Sequence, residues 1–151
     1  MKVLARGNTM GESMNGVEDS RMEYPAEYEP YFNLLIRGEL GFPMCSQCGV
    51  FHWYPRNTCP ACGSANIVWK SISPQGRLFS WTTVHRKLDS EYEADVPYVV
   101  GLVEFNDAPG IRLVSRIVNG DEHLRVGLEL KPVFDTSRSK MPKVNFEPAV
   151  I

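Results

Sequence analysis

The stretch "CSQCGVFHWYPRNTCPACGS", residues 45–64, contains all four cysteines of the chain, in two C-x-x-C pairs separated by ten residues. Each pair places two thiolates close enough to share one metal ion, and this spacing is typical of a zinc ribbon. Four thiolates complete a tetrahedral shell and leave no open position for a substrate, so the sequence predicts a structural Zn²⁺. The predicted ligands are Cys45, Cys48, Cys59 and Cys62.

The residues next to the cysteines suit two metal-binding turns. Gly49 and Gly63 directly follow the two pairs, and glycine readily adopts the positive φ that turns backbone N–H groups toward sulfur. Pro60 stiffens the second turn. Three other uses of the thiols stay open, namely a rubredoxin-like iron site that carries electrons, two disulfides, and a dithiol redox pair. Zinc is favoured, because nothing in the sequence points to secretion and a redox pair does not need a second C-x-x-C.

The composition describes a globular chain without a strong electrostatic preference. Of its 151 residues, 43% are hydrophobic and 11% aromatic, and the formal net charge is −2. These values favour a buried core and give no long-range attraction to nucleic acid or an anionic membrane. The N-terminal residues lack the apolar stretch of a secretory signal, and no window approaches the ~18–20 apolar residues of a membrane helix. A soluble cytoplasmic protein is therefore predicted.

Upstream of the cysteines, the sequence predicts a tail and a short helix. Residues 1–22 are rich in Gly, Asn, Ser, Glu and Met without periodicity, which predicts a flexible tail. Residues 23–44 predict an aromatic docking helix and a linker, because Pro30 suits a first helical turn and Gly38 suits a helix end. The alternative is that the helix packs on its own domain. The predicted partner contacts are Tyr31, Phe32, Leu35, Phe51 and Trp53.

Downstream of the cysteines, the pattern changes to β-strands. "NIVWKSIS" predicts the last strand of a zinc ribbon that spans 45–73, and "PQG" predicts the turn after it. Residues 74–151 then contain five strand-like segments with a longer link between the third and fourth, which suits a Greek-key barrel of the OB-fold type. The segments are "RLFSWTTVHRKL", "PYVVGLVEF", "IRLVSRIV", "LELKPVFDTS" and "KVNFEPAV".

Two of these strands carry more specific predictions. In the first, one face is assigned to Leu78, Ser80, Thr82 and Val84 and the other to Phe79, Trp81, Thr83 and His85. In the second, Gly101 interrupts a nearly continuous apolar run, which predicts a bulged or strongly coiled strand.

A search for catalytic groups gives no constellation. The three histidines, His52, His85 and His123, are far apart in sequence, and none has metal-ligand or dyad spacing. The chain contains no nucleophile elbow, P-loop or dinucleotide fingerprint. Every cysteine is assigned to the metal site, so the sequence predicts a chain that is not catalytic alone.

Positive charge is weakly organised on the predicted barrel. Arg112 and Arg116 lie four residues apart on one strand and therefore point to the same face. Together with Arg77, Arg86 and Lys87 they suit a polyphosphate or a single-stranded nucleic-acid backbone. The alternative is a solvated barrel exterior.

The order of these features resembles a known family. A short aromatic helix ending in "GEL" precedes "CSQCG", and "YPRNTCPACGS", a strand with Trp69 and "GRLFSWTTVHR" follow. This order resembles the zinc-ribbon and OB-fold accessory proteins that accompany thiolases and other acyl-CoA enzymes, over about residues 25–150. The resemblance implies a mainly β fold, with an N-terminal short helix, a rubredoxin-like zinc ribbon and a five-stranded OB-fold barrel.

The resemblance also implies a function. Similar proteins are small subunits of thiolases, acyl transferases, hydratases and retro-aldol enzymes that act on CoA thioesters, and the partner brings the catalytic residues. We therefore expect a non-catalytic subunit of a hetero-oligomer, first with a thiolase-type enzyme that cleaves or forms a C–C bond in a 3-oxoacyl-CoA. The alternative is a hydratase or retro-aldolase partner. The resemblance implies that the barrel contacts acyl-CoA, and the candidate residues, chosen from its positive charge, are Arg77, His85, Arg86, Arg112 and Arg116.

A single-stranded nucleic-acid-binding module is a further alternative, because zinc ribbons and OB-folds both occur in such proteins. Phe51, Trp53 and Tyr54 offer aromatic surfaces on which bases stack. The net charge of −2 and the absence of a dense basic stripe oppose this function.

Overall fold

The computed structural model describes residues 24–86, 96–137 and 141–150. The predicted tail at 1–22 lies outside these ranges. The described residues form a short α-helix, a two-stranded antiparallel sheet that carries the cysteines, and a closed five-stranded barrel. The predicted mainly β fold is therefore confirmed. None of the helices within these ranges is long and apolar enough to cross a membrane.

The helix α1 spans Glu29–Ile36 and follows a single 3-10 turn at Ala26–Tyr28. Pro30 lies in its first turn, where the missing N–H costs no hydrogen bond. Gly38 ends it with a φ of 71° and donates its N–H to the carbonyl of Leu35 at 2.9 Å, as a left-handed C-terminal cap does. The predicted two-turn helix and its glycine stop are confirmed.

Two strands hold the cysteine region. β1 (Leu40–Cys45) pairs antiparallel with β2 (Ile67–Ile72), so that Leu40 lies opposite Ile72. The prediction of a linker up to residue 44 is wrong here, because 40–44 belong to β1. Pro43 is accepted in this strand because its carbonyl, rather than an N–H, makes the bond on the side of His52.

The barrel follows directly, with strand order β3-β4-β5-β7-β6. β5 and β7 pair in parallel at Ile117 and Phe146, and β3 closes the barrel on β6 at Gly76 and Arg77. A 3-10 turn at Asp121–His123 lies in the long link between β5 and β6. The strands are β3 Gly76–Val84, β4 Tyr98–Phe105, β5 Ala108–Ile117, β6 Glu129–Asp135 and β7 Lys143–Pro148.

A β-bulge in β3 corrects the predicted faces of this strand. Leu78 is fully buried opposite Val103, but the register shifts between Leu78 and Ser80, so that Ser80 pairs with Leu102. The bulge adds one residue, and every side chain after Phe79 therefore moves to the opposite face. The set that begins with Leu78 does not share one face.

Gly101, where a bulge was expected, has a different role. A β-carbon at this position would lie 2.9 Å from the side chains of Ile117 and Leu78. The glycine therefore marks a close approach inside the barrel rather than a bulge.

The hydrophobic core is continuous from the helix to the barrel. Leu35, Leu40 and Phe42 are fully buried and belong to the same cluster as the barrel residues. Aromatic rings connect the parts: the Phe42 ring centroid lies 5.3 Å from that of Trp53 and 5.5 Å from that of Phe105. The sheet that carries the cysteines is thus fixed to the barrel at its Leu40–Phe42 end.

Candidate functional site

The four cysteine sulfurs form a compact cluster. All lie within 4.8 Å of one another, and the Cys45–Cys62 and Cys48–Cys59 Sγ pairs are each 3.6 Å apart. A tetrahedral zinc with Zn–S bonds of ~2.3 Å requires sulfur separations of ~3.8 Å, so these sulfurs fit the ion with little movement. The predicted metal site is therefore confirmed, because the sulfurs of the four cysteines are positioned to bind one metal ion, consistent with a structural zinc.

Both cysteine turns, which we call the zinc knuckles (residues 45–49 and 59–63), have the same backbone pattern. In each, the N–H of the following glycine donates to the carbonyl of the first cysteine, at 2.8 Å for Gly49 and 2.9 Å for Gly63. Both glycines have a φ of 76°, as predicted from their position. This conformation is open to glycine at little cost, which explains why the same residue follows each pair.

Backbone dipoles favour the charged form of the two buried cysteines. The N–H of Cys48 lowers the pKa of Cys45 to about 6, and the N–H of Cys62 lowers the pKa of Cys59. Since only a thiolate binds the metal, these amides favour the binding form of Cys45 and Cys59. For Cys48 and Cys62 the N–H groups of Val50 and Ser64 lower the pKa, but burial and neighbouring cysteine sulfurs raise it more. Cys45 and Cys59 face inward, whereas Cys48 and Cys62 are exposed.

The aromatic run between the knuckles packs against the helix. Trp53 lies 4.9 Å from Tyr31 and 6.0 Å from Tyr28 between ring centroids. His52 is only 6% exposed, and burial lowers its pKa, while the backbone of Arg56 acts in the opposite direction. The run therefore joins the ribbon to α1.

This packing corrects part of the predicted partner interface. Leu35 is fully buried and Tyr31 is 9% exposed, so both are covered by the chain's own core. The alternative reading, a helix that packs on its own domain, holds for this side of α1. Phe32, Phe51 and Trp53 are partly buried against the core, and their contact with a partner stays a prediction.

The predicted acyl-CoA contacts fall into two groups on the outer side of β3, β4 and β5. Arg77 and Arg112 both pair with Glu104, so the three side chains form one row across the strands. Arg116 lies toward the other end of β5, with its guanidinium 5.1 Å from the Tyr98 ring centroid. His85 and Arg86 are exposed just beyond the end of β3. The chain therefore does not gather the five into one pocket.

Two grooves accompany these elements. One, of about 280 Å³, lies at the barrel edge beside Arg77, but Glu104 and Glu129 also line it. The other, also about 280 Å³, lies between α1 and the ribbon and is lined by Pro43, Trp69 and other side chains. Neither groove concentrates the positive charge that a pyrophosphate requires.

The sequence did not reveal one arrangement on the barrel. The guanidinium of Arg112 lies 3.8 Å above the ring of Phe79, a cation–π contact. The sequence pattern assigns Phe79 to the side of the strand opposite Leu78. It does not show the bulge, however, so it does not identify which side chains lie next to Phe79 on that side. Since bulges have no fixed sequence signal, this contact appears only in the structure.

The knuckles and the closed barrel define the class of protein as a zinc ribbon followed by an OB-fold. Two family models agree with this division: the "ChsH2, rubredoxin-like zinc ribbon domain" matches residues 37–68, and the "ChsH2, C-terminal OB-fold domain" matches residues 69–135. The two matches are adjacent, and together they cover residues 37–135, which is more than half of the chain. The chain belongs to this family of zinc-ribbon and OB-fold proteins.

Curated relatives come from two archaea. A DUF35 domain-containing scaffold protein of Methanocaldococcus jannaschii is 26% identical over 60% of this chain and 63% of its own length. One of Pyrococcus furiosus with the same description is 33% identical over 52% of this chain and 56% of its own length. The matches therefore span about three-fifths of the length of these relatives.

Solved structures share the fold. A chain of the Ltp2-ChsH2(DUF35) aldolase has a TM-score of 0.75 and 23% identity, covering 86% of this chain and all of that chain. A Sulfolobus solfataricus protein of unknown function from the DUF35 family has a TM-score of 0.59 and 21% identity, covering 82% of this chain and 85% of that chain.

Proposed function

We propose that this chain is a non-catalytic small subunit of an enzyme complex that acts on acyl-CoA thioesters. Its membership of the ChsH2 zinc-ribbon and OB-fold family carries the proposal. A protein of this name forms an aldolase with Ltp2, and the archaeal relatives are described as scaffold proteins. In this proposal the chain supports assembly and CoA-ester binding in the cytoplasm, and the partner supplies the reacting groups.

The chemistry of the metal site supports a structural role. When four thiolates hold the ion, its coordination shell is closed, and a closed zinc neither activates water nor polarises a carbonyl. The knuckles instead fix the loop that carries Trp53 against α1. Zinc here orders surfaces for other molecules to contact.

The first candidate partner is a thiolase-type enzyme that cleaves or forms a C–C bond in a 3-oxoacyl-CoA. The second is a retro-aldolase, which the similarity to the Ltp2-ChsH2(DUF35) aldolase chain favours. Both reactions break the Cα–Cβ bond of a CoA thioester, so one accessory fold suits either partner. The substrates separate them, since a thiolase needs a 3-oxo group and free CoA, whereas a retro-aldolase needs a 3-hydroxy group and no added thiol.

For the CoA ester itself, we assign the phosphate contacts to the end of the barrel where Arg116, His85 and Arg86 lie. Arg77 and Arg112 suit a phosphate less well, because the carboxylate of Glu104 lies between them in the register and repels an anion.

The experiment is reconstitution with the native partner. The complex is purified from its source, the partner is identified by mass spectrometry, and both proteins are produced separately. The substrates are 3-oxoacyl-CoA with free CoA and 3-hydroxyacyl-CoA without it. We expect the partner to cleave one of them only in the presence of this chain, or much faster when this chain is added. A partner with the same kinetics in the absence of this chain would contradict the proposal. A salt-dependent mobility shift with short single-stranded oligonucleotides would instead support the nucleic-acid alternative.

A further inference from the structure

The second half of β3 lies at an open edge of the barrel sheet. β6 pairs with β3 only at Gly76 and Arg77, and the loop before β6 adds two backbone hydrogen bonds at Leu78. Over residues 80–84, β3 pairs with β4 on one side. On the other side, no residue that the structure describes bonds to this backbone. We call residues 80–84 the β3 edge.

The β3 edge is exposed on both of its faces. Trp81 is 38% exposed, and Ser80, Thr82 and Thr83 are exposed as well, although successive side chains of a strand point to opposite sides. A strand that packs only within its own barrel buries every second side chain, as β4 does. The β3 edge therefore contributes little to the core and leaves its backbone accessible to another strand.

The β3 edge also lacks the features that keep strand edges apart. Charged side chains and prolines guard the free edges of natural sheets. β2, which ends the two-stranded sheet, carries Lys70, and β5, which pairs with β7 only at Ile117, carries Arg112. The β3 edge, "SWTTV", contains no charge and no proline, and most of its residues favour strands. An unguarded edge of this kind is a template for pairing with another strand.

The β3 edge is complementary to itself. An antiparallel ladder has a two-fold axis at each residue pair, so two copies of one edge pair with a single residue opposite itself. The bulge lies before Ser80, and the register is regular from there to Val84. With Thr82 opposite itself, Trp81 lies opposite Thr83 of the other copy. Pairs of aromatic with β-branched side chains, and pairs of threonines, are among those that stabilise neighbouring strands.

We propose that two copies of this chain associate through their β3 edges, in an antiparallel pairing centred on Thr82. The β5-β4-β3 sheets of both copies then form one continuous sheet, and the free backbone groups of the edge gain strand partners. The formal net charge of −2 gives little repulsion between copies, and no like charges meet within the edge. This inference goes beyond the proposed function and does not depend on it, because it concerns the chain alone.

The test measures the mass of the full, zinc-loaded chain by sedimentation equilibrium, from micromolar to submillimolar concentration, where we expect a reversible equilibrium between monomer and dimer. Thr82→Lys and Thr82→Glu each place two like charges directly opposite one another, and should weaken the dimer by about tenfold or more. An equal mixture of the two variants pairs opposite charges, and should restore the affinity to within about threefold of the wild type. Recovery in the mixture also shows that both variants are folded.

The matched control is Val114→Lys. Val114 is 53% exposed on β5, and β4 separates it from the β3 edge, so this variant adds the same charge as Thr82→Lys away from the pairing. We expect it to change the dimer affinity by less than about twofold. Hydrogen exchange gives a second measurement, in which the amides of residues 80–84 should gain protection as the dimer forms.

Each outcome decides the proposal. A chain that stays monomeric over this range overturns it and leaves the proposed function standing, since the catalytic subunit takes no part in the measurement. Dimers that persist in both Thr82 variants, or that Val114→Lys weakens equally, overturn the β3 edge as the interface. Loss of dimers without recovery in the mixture contradicts the pairing centred on Thr82. A monomeric chain whose Thr82→Lys variant binds the catalytic subunit more weakly would assign the edge to that subunit instead.

Discussion

The zinc knuckles and the barrel of this chain are ordered by different forces. In the barrel, Leu78, Val103 and Phe146 are fully buried, so the removal of apolar surface from water holds the strands together. In the region 45–66, most residues are exposed, and the two knuckles meet through the cysteine sulfurs, with Ser46 donating to the carbonyl of Asn66 beside them. Burial specifies a fold through many interchangeable contacts, whereas a metal site specifies it through four bonds between the metal and its ligands. The predictions below separate these two sources of order.

Removal of the metal should have the largest effect and should be confined to one region. Zinc binds ribbons of this type with an apparent free energy of about 10–16 kcal/mol, and much of it is folding free energy. We expect Cys45→Ser, or a strong chelator, to abolish hydrogen-exchange protection of amides in 45–66 while β3 to β7 stay protected. The measurement is hydrogen exchange with mass spectrometry, alongside the zinc content of the same sample.

The control is Gln47→Ala, which lies between Cys45 and Cys48 but removes no sulfur. It should keep one zinc per chain and normal protection. Protected knuckles in a metal-free sample would show that the aromatic contacts of Trp53, rather than the metal, order the ribbon.

A cavity in the barrel should give the converse result. Phe146 is fully buried, 6.0 Å from Phe105 between ring centroids. Phe146→Ala should lower the free energy of unfolding by about 3–5 kcal/mol, and Phe146→Leu by less than about 1.5 kcal/mol. Urea unfolding measures both. We expect zinc content to stay unchanged as long as the variant is folded. Loss of zinc at equal stability would contradict the separation of the two regions.

The same contrast explains how far the sequence predicted the molecule. The metal site was predictable in detail, because ligand identity, spacing and the glycines after each pair are local properties of 45–64. The helix and the strands of the barrel were predictable from periodicity. β1 was missed because "LGFPMC" contains Gly41 and Pro43, which locally oppose a strand. Its pairing with β2 and the burial of Leu40 and Phe42 in the core stabilise it instead.

The faces of the barrel depended on contacts distant in sequence. A residue without a side chain is needed at Gly101 because the side chains of Ile117 and Leu78 lie against it. The bulge after Leu78 reverses which side chains face outward. Exposure of Leu35 was mispredicted for the same reason, since the chain's own core covers it. Local pattern predicts which elements exist, whereas tertiary packing decides which of their sides remain free.

A smaller effect should come from filling the close approach inside the barrel. The β-carbon of Gly101→Ala would lie 2.9 Å from atoms of Ile117 and Leu78. Overpacking of this kind costs about 1–3 kcal/mol. We expect the free energy of unfolding from urea titration to fall by that amount. Ile117→Val removes the Cδ1 methyl that the new carbon meets, so it should recover part of the loss in the double variant. Purely additive losses would contradict the close contact as the cause.

The smallest effect concerns pH and returns to the ribbon. Burial lowers the pKa of His52 below its ordinary value of 6.5. As the pH falls below 6.5, the unfolded chain therefore takes up a proton before the folded chain does, and the free energy of unfolding decreases. The stability that neutral His52 allows is fully present above pH 6.5 and is lost below it, at most by about 1.4 kcal/mol per pH unit for one proton.

His52→Phe removes this titration and keeps a buried ring beside Trp53. The free energy of unfolding of the wild type minus that of the variant, measured between pH 7.5 and 5.0, should therefore decrease as the pH falls, because only the wild type loses this contribution. Zinc release and the carboxylates Asp135 and Glu147, whose pKa values are lowered, act equally in both proteins and cancel in the difference. Parallel curves would mean that folding does not change the proton affinity of His52. The ribbon would then be sensitive to acid through its thiolates alone, in contrast to a barrel whose core contains no titrating ring among its described residues.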